Sequence, residues 1–230
     1  MPLLAKDFNA SPGPETSLML SSFVLAYALG PLMLGGLSEL YGRRNVLQLS
    51  NIFFIIFNLA CGFAQTRVQL TIFRFFAGLG GSTPLAIGGG VISDLATEEE
   101  RGKFFSYYTL APLLGPAIAP LVGGWIVESL QTPDRWRWIF WVVTIFSAAI
   151  AAGGLFLLPE TYQPRILDLK CRKLRKETGN DKLRTVFQKE AKESFAMRFQ
   201  RNMRRPFVLI ATQPIVQLLS VYSESALLHS

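Results

Sequence analysis

Six stretches of this chain run for 18 to 24 residues without a single charge: residues 16–38, 46–66, 75–93, 104–127, 138–158 and 206–223. A helix needs about 20 residues to cross a hydrocarbon core ~30 Å thick. Six such runs cannot all be buried core helices of a water-soluble domain, because a chain of 230 residues with 17% charged side chains has too little polar sequence to cover them. They predict membrane spans. A span must be helical, since the bilayer offers no partner to an unpaired backbone amide. The expected fold class is all-α, a polytopic transmembrane helix bundle.

The loops orient the bundle. One alternate set (residues 41–45, 94–103 and 163–205) holds 18 Lys and Arg residues. The other set, made of the N-terminal segment and residues 64–69 and 128–137, holds Lys6, Arg67, Arg135 and Arg137. This asymmetry places the first set in the cytosol and makes residues 1–15 an extracytosolic segment. The net charge of +7 is concentrated in residues 163–205, which alone carry 14 basic and 5 acidic residues. A basic loop between spans is a cytoplasmic face with affinity for an anionic leaflet, which argues against nucleic acid as a partner. Within it Leu183, Phe187, Ala191, Phe195 and Phe199 recur every fourth residue, predicting an amphipathic helix along the membrane surface.

Catalytic chemistry has little to work with. The single histidine, His229, is next to last, and Cys61 and Cys171 fall in a span and in the basic loop, so no metal site, disulfide framework or His-based catalysis is expected. Ser82 beside Gly80 and Gly81 has no histidine or lysine within any span to activate it, which argues against an intramembrane hydrolase. No catalytic residue, metal or cofactor is expected. Residues 1–15 lack the basic start and short apolar core of a signal peptide.

Three stretches carry more specific information. Residues 35–44, GGLSELYGRR, place Gly35, Glu39, Gly42, Arg43 and Arg44 at the first cytosolic border. Glu39 lies near a helix C-terminus, where the dipole disfavours an acid unless a cation is close, and Arg43 can supply that cation across a turn opened by Gly42. Plain positive-inside anchoring by the two arginines is the simpler alternative. Next, Arg74 opens RFFAGLGGS below the outer face. A charge inside a span costs about 3 kcal/mol or more and usually faces the bundle interior in a functional role, unless it snorkels to the headgroups. Finally, residues 111–124, APLLGPAIAPLVGG, set small residues at Ala111, Gly115 and Ala119 every fourth position, followed by Pro120, Gly123 and Gly124. Such a face permits close helix packing, and the prolines free carbonyls and bend the helix.

These stretches resemble three motifs of the major facilitator superfamily. The first is the G-x-x-x-[DE]-x-x-G-R-[RK] loop after its second helix, and the second is its fourth-helix arginine motif. The third is the fifth-helix antiporter motif, in which Ala111 and Ala119 stand here for glycines. WRWIFW at 136–141 and LPETY at 158–162 bracket the sixth span as in fungal-type 12-span drug:proton antiporters. The resemblance implies a gating charge cluster at Gly35–Arg44, proton coupling at Arg74, and efflux rather than uptake. It also implies small-molecule substrate and protons as partners, and the plasma membrane or an endomembrane as the location.

On this resemblance the first run corresponds to the family's second helix. The chain then comprises five spans over residues 16–162, a cytosolic linker at 163–205, and the start of a seventh helix with a divergent tail at 206–230. That is a partial N-terminal half lacking helix one, and we expect a truncated transporter. The alternative is a non-transporting membrane fragment that associates with a second transporter half or with further copies of itself.

Overall fold

The computed structural model describes residues 14–129 and 135–179, with the single positions 184, 208, 212 and 213. Seven helices follow in order: α1 (Pro14–Tyr41), α2 (Arg43–Gly62), α3 (Arg67–Gly81), α4 (Thr83–Leu95), α5 (Arg101–Ser129), α6 (Arg135–Leu157) and α7 (Gln163–Thr178). No strand occurs among the described residues. The chain divides into two compact units, residues 1–169 and 170–230; the bundle lies in the first, and of the second residues 170–179 and the four single positions are described. Apart from positions 184, 208, 212 and 213, the predicted sixth run at 206–223 and the amphipathic helix expected over 183–203 lie outside the described residues, as does most of the 1–15 segment.

Among the described residues, five segments are long and apolar enough to cross a membrane: Ser21–Tyr41, Arg43–Gly62, Arg67–Leu95, Arg101–Ile126 and Trp136–Leu157. Four follow the uncharged runs closely. The third begins earlier than the run starting at residue 75. Thr66 caps it, its hydroxyl accepting from the Gln69 N–H at 3.3 Å, and the helix is under way from Arg67. Arg74 therefore lies two turns, about 10 Å, inside the helix rather than at its mouth.

That third segment is two helices joined at Ser82. Pro84 has no N–H to give to the Gly80 carbonyl one turn back. The Thr83 hydroxyl takes its place at 2.9 Å, and the Ser82 hydroxyl donates to Leu79 O at 2.8 Å. Two local hydroxyls thus satisfy the carbonyls exposed by the break, without solvent.

α3 packs closely against α1 and α2. A β-carbon at Gly78 would come within 2.5 Å of the Phe23 carbonyl on α1, and one at Gly80 within 2.9 Å of the Ser50 carbonyl on α2. Backbones approach to a distance that only glycine permits. Toward the Gly62 end, Met19, Cys61, Ala64, Leu70, Trp136 and Phe140 form a buried apolar cluster flanked by Phe73.

α2 and α6 meet along a polar seam. The Asn58 side-chain amide donates to Phe140 O at 3.0 Å and to the Thr144 hydroxyl at 2.9 Å. At one end Arg137 Nη1 donates to Gly62 O at 2.9 Å, and at the other Arg44 Nη2 donates to Leu155 O at 2.7 Å.

α5 behaves differently. It touches α4 and α6, with the Tyr108 hydroxyl donating to Pro84 O at 2.8 Å, but no residue of its apolar window is buried. Large apolar side chains also stand outward elsewhere, among them Val24, Leu49, Ile145 and Phe156. Contiguous apolar surface of this extent suits lipid and would be insoluble in water.

Candidate functional site

The turn between α1 and α2 is built around Gly42, whose φ of +91° lies in the region that β-carbons disfavour. Its N–H continues the α1 ladder to Ser38 O at 3.0 Å, and the Ser38 hydroxyl reaches the Gly35 carbonyl at 2.7 Å. The turn releases the first N–H groups of α2, and a carboxylate meets one of them: Arg43 N–H donates to Glu160 Oε1 at 3.0 Å. The same oxygen accepts the Tyr162 N–H at 3.2 Å. An acid at a helix N-terminus is the favourable end of the dipole.

The Arg43 side chain reaches the other way. Its Nη2 pairs with Asp94 Oδ2 at 3.1 Å, and its guanidinium carbon lies 5.9 Å from the Tyr162 ring centroid. Asp94 is next to last in α4, where the helix dipole opposes a negative charge, so the arginine offsets an unfavourable placement. Both side chains are mostly buried, at 16% and 24% exposure, which strengthens the pair relative to a surface bridge. At the Arg43 guanidinium the start of α2 thereby meets the end of α4 and the link between α6 and α7. Sequence reading had given Arg43 to Glu39, which closes α1 half-buried three residues before Gly42.

Arg74 stands apart from this cluster. It is half-buried on α3, with its guanidinium carbon 5.1 Å from the Phe140 ring centroid. Its Nε is buried and has no hydrogen-bond partner among the described residues. At membrane depth the ring quadrupole offsets part of the cost of a guanidinium lying over an aromatic face.

The third expected group is not brought to either place. Ala111, Gly115, Ala119, Pro120, Gly123 and Gly124 line α5, and β-carbons at Gly115, Gly123 and Gly124 would meet nothing within 4 Å. Among the described residues, the flat face that the motif builds has no helix against it.

Sequence reading missed Asp94 as the arginine's partner and Glu160 as the carboxylate that receives the α2 N-terminus. Glu160 lay within LPETY, quoted there only as a family mark. It also missed a cavity of about 330 Å³ beside the α3–α4 break, whose polar lining is Asn51, Thr83 and Ser147. The lining is uncharged and mostly apolar, with Phe23, Leu47, Phe54 and Ile150 around those three polar side chains.

The comparisons agree on lineage. The Major Facilitator Superfamily profile matches residues 1–225. Over 219 residues the chain is 45% identical to "Efflux pump vrtL" of Penicillium aethiopicum, covering 95% of this chain and 42% of that protein. It is 40% identical over 223 residues to "Efflux pump radE" of Floropilus chiversii, covering 97% of this chain and 40% of the other. The chain thus spans about two fifths of the length of these relatives. Among solved structures, the inward-open xylose transporter XylE from E. coli superposes with a TM-score of 0.55 at 20% identity, over 90% of this chain and 49% of that one. At that identity the likeness shows the fold alone. A profile matching nearly the whole sequence, relatives at 40–45% identity and a shared bundle lead to one conclusion: the chain is an integral membrane protein belonging to the major facilitator superfamily.

Proposed function

We propose that this chain is the N-terminal-half portion of a proton-coupled efflux transporter for small amphipathic or cationic molecules. The observation that carries the reading is the Arg43–Asp94 pair, with Glu160 on the adjoining N–H. A partly buried ion pair between the start of α2 and the end of α4 is a contact that can break and re-form as the helices move, which a gate requires. Arg74, with an unpartnered Nε inside a span, is the candidate for coupling to protons; an intramembrane charge of this kind is expensive and marks a functional path. The direction, outward, is supported by relatives named as efflux pumps and by the α5 motif. Residues 163–205 lie in the cytosol and residues 1–15 outside, following the distribution of Lys and Arg. The membrane is the plasma membrane, with the vacuolar or another endomembrane as the alternative.

The test is a chimera in which residues 14–179 replace the matching segment of a full-length relative, expressed in cells lacking their own drug pumps. Dye export that collapses with a protonophore is expected. Export at full rate after the proton gradient is dissipated would rule out proton coupling.

A second reading is favoured by α5, whose apolar window buries nothing. Alternating access needs two bundles rocking about a central site. On that ground the 230-residue chain alone is a non-transporting membrane protein whose open faces meet lipid, another copy or a second transporter half. Dye uptake by proteoliposomes holding only this chain, driven by an imposed pH gradient and lost with Arg74→Ala, would overturn it.

A further inference from the structure

We propose that α7 is an interfacial helix that docks on an anionic leaflet, its partner being a surface of negatively charged lipid headgroups. Gln163–Thr178 carries six Lys and Arg residues against Asp168 and Glu177, and none of its side chains is buried. At 100° per residue, Ile166, Leu167, Lys170 and Leu174 fall on one face. Arg165, Arg172, Arg175 and Lys176 fall on the opposite face, Lys173 stands between, and Leu169 is the apolar residue on the polar side. Leu167 and Leu174 are exposed. A helix with an apolar stripe and opposed cations lies in the headgroup plane, stem-deep in the acyl boundary.

Its start is fixed at the right depth. α6 closes at Leu157 and α7 opens at Gln163. The short link between them is pinned to the end of α2: Glu160 accepts from the Arg43 and Tyr162 N–H groups, and the Arg43 guanidinium lies against the Tyr162 ring. α7 therefore begins level with the Gly42 turn, where two spans end. This placement separates lipid from other polyanions. A nucleic acid or an acidic protein in solution would engage the cations and leave Ile166, Leu167 and Leu174 in water. An anionic leaflet satisfies both faces at once, with the apolar stripe buried and each lysine ammonium reaching the charged surface. The inference is independent of which molecule is transported, or whether any is.

The test uses the whole chain in nanodiscs of phosphatidylcholine, with or without phosphatidylserine. A nitroxide is attached at Leu174→Cys in a Cys171→Ser background, Cys61 being buried and unreactive. With phosphatidylserine present, the label is expected to be accessible to oxygen and shielded from a water-soluble nickel relaxant. Raising salt until the Debye length falls from ~10 to ~3 Å should remove the shielding. Replacing Lys170, Lys173 and Lys176 together by Gln should lower the docked-to-free ratio by on the order of a hundredfold. Equal shielding in pure phosphatidylcholine, or none with either lipid, overturns the proposal. So does shielding that is lost when single-stranded RNA is added at low salt, because the preferred partner is then a soluble polyanion. Should the triple variant fail to insert, the salt and lipid comparisons on the chain with its lysines intact decide the matter alone.

Discussion

The Arg43 guanidinium occupies the space in which a β-carbon on Gly90 would stand. α4 lacks a side chain there, so the arginine of α2 can lie across it and reach Asp94 one turn further on. Gly90→Val should expel the guanidinium and separate it from Asp94. In the chimeric transporter we expect efflux to fall at least tenfold with normal insertion. We also expect a melting temperature several degrees lower, since overpacking costs about 1–3 kcal/mol. Efflux at the unmodified rate would show that the ion pair is dispensable.

Arg74 offers a sharper test of coupling. Arg74→Ala should abolish proton-driven efflux while leaving membrane insertion intact, as should charge-removing changes at Glu39 and Arg43. Arg74→Lys keeps the charge but loses the guanidinium over the Phe140 ring, and should retain only part of the rate. Dye efflux measured against surface abundance separates the outcomes; full resistance in Arg74→Ala cells would contradict the assignment.

The Asn58–Thr144 contact can be measured as a coupling. The Thr144 hydroxyl also donates to Phe140 O at 2.8 Å, so it retains a partner when the asparagine is removed. Asn58→Leu should therefore cost about 0.5–2 kcal/mol, within the range for hydrogen bonds between membrane helices. A double-mutant cycle with Thr144→Val, followed by reversible unfolding in mild detergent, should give a coupling near ~1 kcal/mol. Additive effects would mean that the contact contributes nothing net.

The two cysteines report topology. Cys61 is fully buried in α2, whereas Cys171 is half-buried on α7. Only Cys171 should react with a thiol reagent, and only after permeabilisation if residues 163–205 face the cytosol. Labelling of Cys171 in intact cells by an impermeant maleimide would invert the orientation.

Four of the five span boundaries could be read from the runs of uncharged residues, because hydrocarbon thickness sets a length that no other environment imposes. The exception is instructive. Arg74 interrupted the third uncharged run, which began at residue 75, and the reading set Arg74 about one turn inside the span, while Thr66 and Gln69 start the helix two turns before it. An arginine lying over an aromatic ring is tolerated inside a helix, and a rule based on absent charge cannot see it. The motif residues at Gly42 and Arg43 were legible because a positive-φ turn and a terminal cation are local requirements. Asp94 and Glu160 were not, since each meets Arg43 across more than 50 residues and only the tertiary fold brings them there. α7 left a local signal that went unread: Ile166, Leu167 and Leu174 recur at helical spacing between the cations, but the stronger-looking repeat further along drew the assignment.

Asn58 also limits how the bundle can move. Its amide reaches a carbonyl and a hydroxyl on the same turn of α6, so sliding α6 past α2 by one turn, 5.4 Å, would strand the amide against apolar side chains. Arg137 and Arg44 grip the facing helix near its two extremities. With a peg in the middle and a clasp at each end, telescoping of the two helices is opposed along their whole length. They form a strut whose sliding is opposed at three points along its length, which favours movement of the two helices as one piece.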